Sequence, residues 1–118
     1  MNADNQIPAR SPWGEVQYGK VLVDGIITVG TAGHGGVRIS AERLRQMPAA
    51  LRLGRRRWFE EDCDWALPYL ALGLDEFEPD AGSAAERWFA AIKTVQQWHP
   101  RHVYLVDAAQ ARGADRHG

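Results

Sequence analysis

The sequence predicts an α+β fold, in which a small antiparallel sheet packs against two or three helices. Asp24-Gly25 separates two runs rich in β-branched residues, which is typical of a β-hairpin. In the second half of the chain, apolar residues recur at helical spacing. That half also contains Ser83-Ala84-Ala85-Glu86, a pattern that marks the start of a helix. The sheet is therefore expected to form from the N-terminal hairpin and one or two further strands.

The first half predicts the strands of this sheet and one short helix. A type I′ turn at Asp24-Gly25 is expected to join the hairpin strands, because such a turn needs positive φ at both central residues and Asp-Gly is a favoured pair there. Ser40 is the expected N-cap of the helix, and Pro48 ends it. The predicted strands are residues 15–23, 26–29 and 37–39, with a glycine-rich loop over residues 30–36 and a helix over residues 41–47.

The second half predicts helices and one terminal strand. Apolar residues from Trp58 onward recur at helical spacing, and Pro68 is expected to bend or restart that helix. An acidic loop with three helix breakers should follow. The expected elements are a helix from residue 58, a loop over residues 73–82, a helix over residues 83–98 and a last strand over residues 103–106.

The length and composition indicate one small folded domain. The 118 residues are 45% hydrophobic and 25% charged, which is ordinary for a globular protein. We expect the domain over residues 12–106, with mobile tails over residues 1–11 and 107–118 that carry few large apolar groups. No membrane segment or secretory signal is visible, and the single cysteine fits a reducing cytoplasm.

Charge is distributed unevenly along the chain. Residues 1–59 hold nine Arg or Lys and four Asp or Glu, a net charge of +5. Residues 60–118 hold five and eleven, a net charge of -6, so the whole chain carries -1. A basic field over the entire protein is therefore excluded, whereas a polar docking surface and an ordinary solvated face both stay open.

His34 lies in the glycine-rich loop, the most unusual local feature of the sequence. Glycines expose backbone N–H groups that hold anions, and the imidazole is able to carry a proton. A tight turn is the alternative interpretation, since glycine clusters are primarily turn devices. The loop lacks the Gly-Lys-Ser/Thr of a phosphate-binding loop.

An acidic segment, Glu60-Glu61-Asp62-Cys63-Asp64, follows the aromatic pair at residues 58–59. On a helix, Glu60 and Asp64 would share one face and Glu61 would lie off it, so we predict no metal site. Cys63 is a candidate nucleophile served by His34. Its position on the predicted apolar stripe argues against this role, because apolar surroundings raise the pKa of a thiol.

Four arginines precede the aromatic pair: Arg52, Arg55, Arg56 and Arg57. Guanidinium groups match phosphate geometry, and Trp58 and Phe59 are able to stack on bases. The acidic segment that follows at once would repel a phosphate backbone, which argues against a nucleic-acid contact.

Two motifs resemble those of a family of small uncharacterised domains from phages, plasmids and other mobile elements. The first runs from Thr31 through His34-Gly35-Gly36 to Ser40, and the second is Trp58-Phe59-Glu60-Glu61-Asp62-Cys63-Asp64-Trp65. The match extends over about residues 12–100. Because small mobile-element proteins often inhibit host defence, the resemblance implies an inhibitor of the anti-CRISPR kind.

We therefore interpret the chain as a binding protein rather than an enzyme, with no predicted cofactor. The expected partner is a host protein or ribonucleoprotein complex in the bacterial cytoplasm, and the chain would occlude its basic surface. The candidate contacts are Glu60, Glu61, Asp62, Asp64, Asp75, Glu76, Glu78, Asp80, Arg55, Arg56 and Arg57. Two alternatives stay open: a small hydrolase-like enzyme that uses His34 with Cys63, Glu60 or Glu61, and a nucleic-acid-binding module at residues 52–58.

Overall fold

The structure is a computed structural model that describes residues 5–117. The predicted tail residues 1–4 and residue 118 lie outside the described part. The chain divides into two compact units, Met1–Asp62 and Cys63–Gly118. Antiparallel strands dominate the first unit and helices the second, which confirms the predicted α+β class. The predicted single domain over residues 12–106 stays a prediction.

The first unit contains two antiparallel sheets. A two-stranded hairpin pairs β1 with β2, and a four-stranded sheet has the order β3-β4-β5-β6. These strands are β1 (Arg10–Ser11), β2 (Gly14–Glu15), β3 (Tyr18–Val23), β4 (Ile26–Gly30), β5 (Gly35–Ile39) and β6 (Trp58–Glu60). The predicted strand over residues 15–23 is interrupted after Glu15, and β5 begins two residues earlier than predicted.

The predicted turn at Asp24-Gly25 joins β3 to β4, but it is not of type I′. Only Gly25 has a positive φ, of 83°, whereas a type I′ turn has positive φ at both central residues. The side chain of Asn5 donates to the Asp24 carboxylate at 2.6 Å and accepts from the Gly25 amide at 2.8 Å. Part of the predicted N-terminal tail is therefore held against this turn.

Helix α1 spans Ala41–Gln46, and the Ser40 hydroxyl accepts from the Arg43 amide at 3.1 Å. This bond confirms the predicted N-cap. A 3-10 turn at Ala49–Leu51 follows Pro48 and leads into the exposed loop before β6.

The predicted helix from residue 58 is wrong over its first part. Residues 58–60 pair with β5 as a strand, and Phe59 is fully buried in that strand. Helix α2 begins only at Ala66 and ends at Leu72, where Gly73 takes a left-handed φ of 66°. Pro68 lies in the first turn of α2, where a missing amide hydrogen does not break the helix.

The second unit continues with two longer helices. After a 3-10 turn at Leu74–Phe77, α3 spans Ala81–Trp98 and α4 spans Val103–His117. The predicted capping box at residues 83–86 is wrong, because the N-cap is Asp80, whose carboxylate accepts from the Ser83 amide at 2.8 Å. The predicted loop over residues 73–82 thus contains a 3-10 turn and the start of α3.

Helix α4 replaces both the predicted strand at residues 103–106 and the predicted mobile tail at residues 107–117. Val106, Ala109 and Gly113 are buried along it. The indole Nε1 of Trp88 donates to the Ala109 carbonyl at 2.9 Å, which ties α3 to α4. Within residues 5–117, no helix combines the length and the apolar character that crossing a membrane demands.

Candidate functional site

The pairing of β5 with β6 determines which side chains share a face at this end of the sheet. Gly36 lies opposite Glu60, and the Glu61 amide donates to the Gly35 carbonyl at 3.0 Å. Because successive strand residues point to opposite faces, Glu60 lies on the face opposite that of Phe59, and Glu61 and Asp62 follow the strand in a turn. His34 lies in the loop that immediately precedes β5.

A compact turn holds His34 at this position. The Thr31 hydroxyl donates to the His34 carbonyl at 2.7 Å, and the His34 amide donates to that hydroxyl at 3.1 Å. The Thr31 amide also donates to the same carbonyl at 2.7 Å. The predicted tight-turn interpretation therefore describes the backbone of the loop, and the turn leaves the imidazole half exposed.

His34, Glu60 and Asp62 form a cluster, which we call the His34 cluster. The Nδ1 atom of His34 lies 3.3 Å from Oε1 of Glu60. One donor atom from each of the three residues lies within 4.8 Å of the other two. The arrangement combines a nitrogen donor with two carboxylates, a donor set able to hold a proton or a metal ion.

The predicted helical face shared by Glu60 and Asp64 is wrong, because Glu60 belongs to a strand. Asp64 lies in the second unit, where its Oδ1 is 3.1 Å from Nε2 of His99 and its side chain is only 14% exposed. Cys63 is half-buried at the start of that unit. The role of Cys63 as a nucleophile assisted by His34 stays a prediction.

Glu61 lies on the opposite face and makes a close approach to the backbone. A Cβ placed on Gly35 would lie 2.8 Å from Oε2 of Glu61. Gly35 thus leaves space for this carboxylate, while Glu61 itself is exposed. The three consecutive carboxylates are therefore presented on both faces of the strand end.

Two tryptophans and an arginine lie on the same face as the His34 cluster. The Trp13 ring occupies the space above Gly36 and meets Trp58 edge to face, with ring centroids 5.7 Å apart. The Arg38 guanidinium lies 5.7 Å from the Trp58 ring centroid. Sequence analysis missed this group, because a strand of three residues is too short to show alternation in the sequence.

Two of the four predicted nucleic-acid contacts bind the protein's own backbone. Arg52 donates to the Met47 carbonyl at 2.9 Å, and Arg57 donates to the Ile39 carbonyl at 2.8 Å. Arg55 and Arg56 are exposed in the loop before β6. Half of the predicted arginine cluster therefore supports the fold through backbone hydrogen bonds, and the nucleic-acid contact stays a prediction.

In the second unit, burial makes Asp75 unavailable as one of the predicted partner contacts. The Asp75 side chain is 0% exposed, and its Oδ2 lies 3.0 Å from Arg116 Nη2 and 2.8 Å from His117 Nε2. A partner is unable to reach this carboxylate in the folded unit. Glu76, by contrast, is 55% exposed and contacts Arg112 and Arg116.

Glu78 is largely buried, and Asp80 has a structural role. Glu78 accepts from the Tyr69 hydroxyl at 3.2 Å and lies 3.5 Å from Arg87. Burial, followed by the charge and hydrogen bond of Glu78, raises the pKa of Tyr69 well above its ordinary value. The hydrogen bond from the Ser83 amide lowers the pKa of the Asp80 carboxyl, which is fully exposed.

Two histidines near the start of α4 form a further titratable pair. The rings of His99 and His102 have centroids 6.2 Å apart. Partial burial, with the charges of Arg101 and His99, lowers the pKa of His102. His102 is consequently biased toward its neutral form.

Comparison with known proteins places the chain in a family without assigning an activity. No curated protein and no solved structure matches the chain. Residues 6–117 match a family described as a domain of unknown function, DUF7007, and the chain belongs to that family.

Proposed function

We propose that the protein acts by binding, and that residues 60–62 dock on a basic surface of its partner. The observation that carries this proposal is the run of carboxylates at the end of β6. Glu61 and Asp62 are exposed, and the Glu60 side chain is 30% exposed. The Glu61 carboxylate lies on the Gly35 side of this strand end and Glu60 lies on the other side, so a basic surface meets carboxylates however it approaches.

The aromatic group beside these carboxylates supplies contacts of a different kind. Trp13, Trp58 and Arg38 are partly exposed on one face of β5 and β6. Tryptophan and arginine are enriched among the residues that contribute most to protein–protein affinity. The carboxylates would steer the approach of the partner, and the indole rings would supply buried area once contact is made.

The proposed partner is a host defence protein or ribonucleoprotein in the bacterial cytoplasm. The resemblance of the two motifs to mobile-element domains supports this choice. Defence complexes that hold nucleic acid present basic surfaces, and an acidic strand end would compete for such a surface. Binding by this route should weaken as salt increases, because exposed charges are screened.

Charge reversal of two carboxylates tests the proposal. The double variant Glu61→Lys and Asp62→Lys should lose inhibition of host defence in a phage plating assay, and should lose binding to the purified complex. The matched control is Asp107→Lys with Asp115→Lys, which reverses the same number of exposed carboxylates on α4. Full binding by the double variant, at both low and high salt, would refute the docking role of residues 60–62.

A second candidate function is acid–base catalysis, favoured by the 3.3 Å contact of His34 Nδ1 with Glu60 Oε1. A carboxylate at this distance orients an imidazole for proton transfer. The purified protein would then hydrolyse a generic ester or phosphoester panel, and His34→Ala would abolish the turnover. Equal rates for the wild type, His34→Ala and Glu60→Gln would exclude the catalytic role.

A further inference from the structure

We propose that His34, Glu60 and Asp62 form a binding site for Zn²⁺. This proposal concerns the donor atoms alone and does not rest on the proposed partner. Zn²⁺ is bound in proteins by imidazole nitrogen and carboxylate oxygen at about 2.0–2.2 Å. The His34 cluster offers one such nitrogen and two such carboxylates. The imidazole distinguishes it from an ordinary exposed group of acidic residues.

The geometry of one donor pair matches a tetrahedral zinc centre. Two donors at about 2.0 Å from a metal and a tetrahedral angle apart are separated by about 3.3 Å. Nδ1 of His34 and Oε1 of Glu60 are 3.3 Å apart. One carboxylate oxygen of Asp62 lies within 4.8 Å of a donor atom of each of the other two residues, and the exposed side chain closes the remaining distance by rotation about its own bonds.

Two of the three ligands are held by the backbone. The Thr31 turn holds His34, and the pairing of Gly36 with Glu60 holds the strand that carries the first carboxylate. The Trp13 ring above Gly36 adds an apolar neighbour to this side of the cluster. Ligands on ordered elements lose little conformational entropy when a metal binds, which favours affinity.

The donor set selects the type of ion. Ca²⁺ takes six to eight oxygen donors, and Mg²⁺ prefers an octahedral shell of oxygen atoms with several waters. An imidazole nitrogen beside two carboxylates suits a transition metal of borderline softness instead. Two carboxylates and one divalent ion also give a neutral cluster, which removes the repulsion between the carboxylates. Three protein ligands leave room for water to complete the coordination shell.

Titration of the full chain with ZnCl₂, prepared without an affinity tag, tests this site. Calorimetry should give one Zn²⁺ per chain. The His34→Ala and Asp62→Asn variants should each bind about 100-fold more weakly, since loss of a ligand costs at least as much as loss of an outer contact. The matched control is Glu61→Gln, which removes the neighbouring carboxylate on the opposite face and should leave the affinity unchanged. Far-UV circular dichroism verifies that each variant is folded.

Substitution with Co²⁺ gives an independent readout of the ligands. The wild type and Glu61→Gln should show the visible absorption of a low-coordinate Co²⁺ centre, and Asp62→Asn should lose it. The proposal is overturned if the wild type binds no Zn²⁺, or if the Glu61 and Asp62 variants weaken binding equally. It is also overturned if His34→Ala retains the affinity while His99→Ala or His102→Ala abolishes it, because the metal then binds in the second unit.

Discussion

Replacing the buried carboxylate in Asp75→Ala should lower the free energy of unfolding by about 2 kcal/mol. The Asp75 side chain is 0% exposed and contacts Arg116 and His117 through Oδ2. A hydrogen bond to a charged group contributes about 1.5–3 kcal/mol when buried, and an exposed ion pair about 0–1 kcal/mol. The His117 contact belongs to the first class, whereas Arg116 is 28% exposed and belongs nearer the second. Together they contribute about 3 kcal/mol.

A second effect reduces this sum. Oδ1 of Asp75 is buried and has no hydrogen-bond partner among the described residues, so removal of the carboxylate also removes a desolvation cost of about 1 kcal/mol. Urea unfolding followed by circular dichroism should therefore show a midpoint about 1 M lower for Asp75→Ala. The control Glu76→Ala removes an exposed carboxylate from the next position and should change the free energy by less than about 0.5 kcal/mol. Equal midpoints for both variants would refute the argument that the buried Asp75 contacts stabilise the fold.

Three further predictions concern the caps, the hydroxyl and the glycine of the described elements. Burial and Glu78 raise the pKa of Tyr69, so above about pH 10 only the hydroxyl of the unfolded chain ionises and the folded protein should lose stability. The urea midpoint of the wild type should therefore fall as the pH rises above about 10, whereas that of Tyr69→Phe should lack this fall. The Ser83 amide lowers the pKa of the Asp80 carboxyl in the folded protein. The stability that this cap gives is therefore present above pH ~4 and is lost as the pH falls through the folded pKa. Asp80→Ala should reduce helicity at neutral pH and should lack this acid dependence. A Cβ on Gly36 would lie 2.4 Å from both an indole ring and a carbonyl of β6, so Gly36→Ala should increase amide exchange across β5 and β6; unchanged exchange would contradict the close approach.

The fold class followed from the sequence, because its strongest signals are local. Asp24-Gly25 determines a turn by the backbone freedom of a single glycine, and Ser40 caps α1 through a bond three residues away. The prediction of a helix around Phe59 was wrong because the strand there has only three residues, too few to show alternation. Its apolar spacing matched a helix, while the deciding interaction was pairing with β5, about twenty residues earlier in the chain.

Helix α4 was missed for a different physical reason. Its buried positions include Ala109 and Gly113, which add almost nothing to a count of large apolar residues. A Cβ on Gly113 would lie 2.9 Å from the Trp88 indole nitrogen and 3.0 Å from the Phe89 ring. The small residues of α4 therefore allow Trp88 of α3 to fill the space between the two helices. The large apolar residue that indicates this buried contact thus lies on α3 and not on α4.

The candidate site depends on strand register rather than on the composition of its acidic segment. Phe59 and Ile39 are fully buried on one face of β5 and β6, and their burial obliges Trp58 and Glu60 to take the other face. A slip of one residue would expose Phe59 and bring Glu61 to the face of His34. The cost of exposing a phenylalanine, about 2 kcal/mol or more, opposes that slip. The same apolar contact that stabilises the sheet thus places Glu60, the carboxylate of β6, on the face of the imidazole.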